Sequence, residues 1–225
     1  MKLSTQTIGV LQNFATINQS LLFQEGNVLR TVSPHKTILA EVAITEDVGR
    51  KFGIYDLNQF LAAVNLIPNA TLDLGEQSLN IGDGATTSIE FRYADESMIV
   101  TPPAKSLKLP NVAIKFTITD VILKAVMQAA RVLGTPEIIV EIVSGEVFVR
   151  AGDSKNSSIN SYNKLIGDSV IDKDFKCVFN VDNLKIMMLE YDVEISTEGL
   201  AKFETTDGRV KYFIATETKT AATGK

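Results

Sequence analysis

Reactive and cationic side chains are scarce in this chain. It has one cysteine, Cys177, one histidine, His35, and no tryptophan. A lone thiol excludes an internal disulfide, and one Cys with one His is too few for a zinc site or a catalytic triad. Cys177 lies in an apolar, strand-like run, where a free Cys behaves as a small hydrophobe. His35 sits in the turn-like "TVSPHKT" and reads as a loop residue rather than a catalyst. No apolar run approaches the ~20 residues a membrane-spanning helix needs. "MKLSTQTIGV" lacks the apolar stretch of a secretory leader, so a reducing, cytosolic setting is expected. Positive charge is also short: 22 Lys and Arg against 27 Asp and Glu leave a net charge of −5. That argues against bulk electrostatic binding of nucleic acid, although a local basic surface on an acidic body remains open. Gly82-Asp83-Gly84 is too short for a phosphate loop and reads as a hairpin turn. No motif requires a cofactor or a metal, and nothing marks an enzyme.

What is present is enough for a real core. The 225 residues are 45% hydrophobic, which suits one large domain or two of about 110 residues each. Three of the six prolines, Pro102, Pro103 and Pro110, fall in "TPPAKSLKLP" near the midpoint. Proline fixes φ and cannot donate to a strand ladder, so this segment should be an extended, irregular connector. The expected organisation is an N-terminal domain over 1–100, a connector over 101–111 and a C-terminal domain over 112–225.

The halves read alike. Ser4 is a plausible cap for a helix over about 5–16, and Thr119 for one over about 119–132 that stops at Gly134. A hairpin is expected around Glu25-Gly26-Asn27 and another around Ser144-Gly145. "KFGIYDLNQFLAAV" at 51–64 and "KCVFNVDNLKIMML" at 176–189 each read as a strand running into a short helix. Phe52, Ile54 and Leu57 match Phe179, Val181 and Leu184 as core anchors. Three strands follow each copy, turning at Gly75-Glu76 and Gly82-Asp83-Gly84, then at Glu198-Gly199 and Asp207-Gly208. The fold class is therefore α+β, a duplicated domain with two short helices per copy on antiparallel sheets.

Helices on a sheet bury one face and leave the other to water. Ile8, Leu11 and Ala15 read as one buried stripe, and Ile122, Val126, Ala129, Ala130 and Leu133 as another. Lys124, Gln128 and Arg131 share the opposite side of the later helix, and Thr5 and Gln12 that of the first. Asn58, Gln59 and Lys185 fall on exposed positions of the short helices. Taken singly, these are ordinary solvated helix faces. Their shared lack of an acidic cluster on an acidic chain raises a functional reading.

At this point the chain resembles the sliding clamps of T-even-type bacteriophages, the processivity factors of replicative DNA polymerases. The resemblance covers essentially the whole chain and is most specific at "NFATIN", 13–18, and "IYDLN", 54–58. It implies a ring-forming clamp fold, three subunits head to tail, with helices lining a hole for duplex DNA. DNA would be held by enclosure and without sequence preference. The channel-facing set would be Thr5, Gln12, Asn58, Gln59, Lys124, Gln128, Arg131 and Lys185, with uncharged residues at positions 5 and 12 where relatives carry lysines. A partner-peptide pocket would draw on Val32, His35, Val100, Leu107, Phe213 and Ile214, each of which also reads as core or linker packing. The implied partners are DNA polymerase, a clamp loader and transcription factors, in the cytoplasm of an infected bacterium, with no cofactor and no membrane. The rival reading is a duplicated β-rich structural or adaptor protein of a phage particle that does not enclose DNA.

Overall fold

Ser4 starts the first helix as a cap should: its Oγ accepts a hydrogen bond from the Thr7 amide at 3.1 Å. In the structure, a computed structural model, residues 1–168 and 174–217 are described. The chain divides into two compact units, Met1–Ala104 and Lys105–Lys225, and the division falls inside the proline-rich segment.

The first unit runs α1 (Thr5–Ile17), β1 (Leu21–Phe23), β2 (Gly26–Val32), β3 (Ile38–Val48), β4 (Phe52–Ile54), α2 (Leu57–Leu66), β5 (Thr71–Leu74), β6 (Ser78–Gly82) and β7 (Ser88–Arg92). The hairpin expected around Glu25-Gly26-Asn27 does not form. β1 pairs with β4 instead, and β2 pairs with β3. The reason is local. β1 is three residues long, and Gly26 at φ +102° opens a register shift at the start of β2. Phe23 lies opposite Phe52 with rings stacked 4.5 Å apart, and Phe60 of α2 meets Phe23 edge-on at 6.3 Å. These aromatic contacts seat α2 on the small sheet. β5, β6 and β7 form a meander, and the Met1 backbone bonds to Leu72 of β5 in both directions.

The second unit runs β8 (Val112–Ile118), α3 (Asp120–Leu133), β9 (Glu137–Val143), β10 (Glu146–Gly152), β11 (Tyr162–Asp168), β12 (Phe175–Asn180), β13 (Tyr191–Ser196), β14 (Leu200–Glu204) and β15 (Val210–Ala215). One sheet is ordered β11-β10-β9-β12, and β15-β14-β13-β8 are neighbours in another. The β9–β10 hairpin turns at Ser144 and Gly145, both at positive φ, as a two-residue turn of the matching twist demands. The pairings repeat those of the first unit: β9 with β12 as β1 with β4, and β10 with β11 as β2 with β3. β8 lies on β13 as the first residues lie on β5.

The repeat fails at one place. The helix expected after β12 is only a single 3-10 turn, Val181–Asn183, followed by irregular chain. Between β12 and β13 there are 10 residues, 181–190, against 16 between β4 and β5, 55–70. Ten residues cannot hold a three-turn helix and its return. The paired Ala62-Ala63 that favours α2 also has no counterpart. The expected two α-helices per unit are thus present in the first unit only; the second has α3 alone among the described residues. Leu184 is still buried like Leu57, whereas Val181 is only half-buried.

Candidate functional site

The helix faces begin with what anchors each helix. The N-terminus of α1 is tied to β3 through Glu46, which accepts hydrogen bonds from the Ser4 amide, Thr7 Oγ1 at 2.6 Å and Thr45 Oγ1 at 3.0 Å. Burial pushes the Glu46 carboxyl up, but these bonds outweigh it and hold it at about 2. The buried stripe of α1 is Thr7, Val10, Leu11, Phe14 and Ile17. Ile8 and Ala15 are only half-buried, so the stripe expected on Ile8, Leu11 and Ala15 is rotated. Leu11 and Phe14 are its most deeply buried members, both at 0% exposure. Thr5 and Gln12 are exposed.

In α2, Asp56 caps by accepting from the Gln59 amide at 3.0 Å, and Leu57, Phe60, Leu61 and Val64 are buried. Asn58 and Gln59 are exposed. Neither α1 nor α2 contains a charged residue.

In α3, the buried residues are Leu123, Val126 and Ala130, facing β-strand side chains such as Ile138, Val149 and Phe179. Ile122 and Ala129 are half-buried and Leu133 is exposed, so this stripe too is turned from the one expected. Lys124, Gln128 and Arg131 are exposed, flanked by Val121 and Val132, exposed at 69% and 75%. Lys124 Nζ lies 2.7 Å from Asp120 Oδ2, one helical turn earlier. That hydrogen bond holds the Asp120 carboxyl below its ordinary range. Arg131 sits in the last turn, where a cation suits the helix dipole, and no ion pair involves it among the described residues. Lys185 is exposed on the irregular chain after the 3-10 turn, not on a helix.

The pocket residues are distributed over both units. In the first, Val32 is buried at the end of β2, His35 is exposed in the β2–β3 turn, and Val100 is exposed. In the second, Leu107 is exposed, while Phe213 and Ile214 are buried in β15. Their burial leaves His35, Val100 and Leu107 as the accessible members.

Three residues the sequence reading passed over shape these surfaces. Asp120 is one, and its four-residue spacing from Lys124 could have revealed it. Asn18 is buried; its Nδ2 donates to the carbonyls of Val32 at 3.0 Å and Val100 at 3.2 Å, and its Oδ1 accepts from the Ser20 amide. Arg30 pairs with Glu41 at 3.1 Å and donates through Nη1 to the Pro103 carbonyl at 2.8 Å. The remaining chemistry is structural. Burial pushes the Cys177 thiol up to about 12, which leaves it inert. Asp83 accepts from the amides of Ala85, Thr86 and Thr87 and so closes a hairpin turn. Among the described residues no helix is long and apolar enough to cross a membrane.

Comparison with known proteins converges. Residues 2–101 match the family described as DNA polymerase processivity factor, and residues 115–218 match the gp45 sliding clamp C-terminal family. The sliding clamp of Vibrio phage KVP40 is 32% identical over 223 residues, covering 96% of this chain and 99% of the relative. That of Enterobacteria phage T4 is 28% identical over 226 residues, covering 96% and 97%. Among solved structures, PCNA from Thermococcus kodakaraensis superposes with a TM-score of 0.69 at 18% identity, covering 94% of this chain and 96% of that one. A. fulgidus PCNA, solved with the C-terminal region of FEN-1 bound, superposes at 0.67 with 17% identity, covering 94% of both chains. At these identities the structures speak for the fold alone.

Proposed function

The chain belongs to the sliding-clamp family of phage DNA polymerase processivity factors, and from that premise we propose which of its surfaces meet its partners. It is a non-enzymatic DNA polymerase sliding clamp with the duplicated clamp fold, and its partners are DNA and the polymerase. The rival reading, a structural protein of the phage particle, is not favoured.

The exposed faces of α1, α2 and α3 line the hole through which duplex DNA passes. One observation supports this above the rest. On a chain of net charge −5, the only acidic residue within the three helices is Asp120, and it is already paired with Lys124. Thr5, Gln12, Asn58, Gln59 and Gln128 give a neutral, hydrated lining; Lys124, Arg131 and Lys185 give the cationic part. Contacts are to backbone phosphates, so no base is read.

Three copies close head to tail into a ring, a heterologous contact whose rotation closes. A clamp loader opens it, and the ring works in the cytoplasm of an infected bacterial host. In the first unit, His35 and Val100 mark where a polymerase, loader or transcription-factor tail docks; the FEN-1 region bound to A. fulgidus PCNA is the parallel for such a tail. Sedimentation equilibrium should give three times the 24.5 kDa chain, and clamp loaded on circular DNA should stay until the circle is cut. A monomer throughout, with equal loss from circular and linear DNA, would overturn the reading.

A further inference from the structure

The cations proposed to face DNA are not equivalent. On α3, Lys124 has Asp120 one turn before it, 2.7 Å from its ammonium group. Asp120 is the first residue of the helix, where the positive end of the dipole favours an anion. It therefore stays ionised whether or not Lys124 swings away. A phosphate approaching this end of α3 meets one positive and one negative charge, and their sum is zero. Arg131 lies at the other end of the same helix, two turns on, and is exposed without an ion pair among the described residues. Between them stands Gln128, which can donate a hydrogen bond but carries no charge. In the first unit, α1 and α2 carry no charge at all.

Resting on the reading that this face meets DNA, we propose that Asp120 attenuates the grip of α3 on duplex DNA, leaving Arg131 as the residue of that helix that holds a phosphate. Phosphate contacts made by a neutralised cation release few counterions. A full cationic contact shifts the slope of log affinity against log salt by about 0.9. A guanidinium also offers a planar fork that matches two phosphate oxygens, whereas a lysine acts as a point charge. The device suits a protein that must stay on DNA yet move along it, because each strong phosphate contact has to break at every step.

The test is a salt titration of the assembled protein on a short fluorescent duplex, read by anisotropy. Arg131→Gln should flatten the slope by about 0.9, and Lys124→Gln by less than half of that. Asp120→Asn should steepen it by about 0.9, and this gain should vanish in the Asp120→Asn, Lys124→Gln double variant. All three positions are on the surface or at the helix start, and circular dichroism with sedimentation confirms folding and assembly. Equal losses for Arg131→Gln and Lys124→Gln, with no change for Asp120→Asn, would overturn the attenuation while leaving the DNA-facing surface intact. Slopes unchanged in every variant would overturn the DNA-facing assignment itself.

Discussion

Glu46 shows how one carboxylate fixes the pose of a helix that has no charge of its own. Its two oxygens take bonds from the Ser4 amide and from two threonine hydroxyls, joining α1 to β3. Its folded carboxyl titrates at about 2 against an ordinary 4.5. A depressed folded value means the carboxylate stabilises the fold above the unfolded value. That contribution is complete above about pH 4.5 and is lost as pH falls toward 2. Glu46→Gln should therefore cost about 1 kcal/mol at pH 7, a figure reduced because the group is partly solvated. The variant and the native protein should converge in urea midpoint as pH falls to about 2. A gap that persists at low pH would show that charge is not the source. Asn18 works by geometry instead: every polar atom of its side chain has a partner although it is buried.

The two strand-to-helix copies share a frame and differ in what they build on it. Leu57 and Leu184 are both buried, at 0% and 3% exposure, although only Leu57 leads an α-helix. Leu57→Ala and Leu184→Ala should each cost about 2–5 kcal/mol in chemical denaturation. The half-buried Val181→Ala should cost under about 1 kcal/mol. A small effect at Leu184 would mean that the second copy has lost the anchor along with the helix. Much of this was legible in sequence because its signals are local. Ser4 and Thr119 mark helix starts, Gly134 a stop, and Ser144-Gly145 a turn. What was illegible depended on distant partners. The pairing of β1 with β4, and the rotation of the α1 stripe toward Phe14, are set by what lies across the sheet. The missing fourth helix was a matter of chain length, and counting residues up to the next strand would have exposed it. The exposed helix residues follow from spacing alone, and the same four-residue spacing places Asp120 beside Lys124.

For the whole molecule, an acidic protein that encloses DNA relies on topology where a specific binder relies on charge. In the proposed ring of three chains, each at −5, the net charge repels the polyanion. Beyond about 8–10 Å this repulsion is screened at physiological salt. Clamp loaded on closed circular DNA should accordingly persist at salt concentrations that abolish its binding to short linear duplexes. Loss from both at the same salt, followed by gel filtration, would show that electrostatics rather than enclosure retains it.

The start of the connector offers a last consequence. Asn18 and Arg30 hold it by the carbonyl oxygens of Val100 and Pro103, not by any side chain. A carbonyl is present whatever residue carries it. Lineages of this protein are thus free to rewrite residues 100–104 while the moorings stay where they are. Drift should be fast along that stretch and slow at positions 18 and 30.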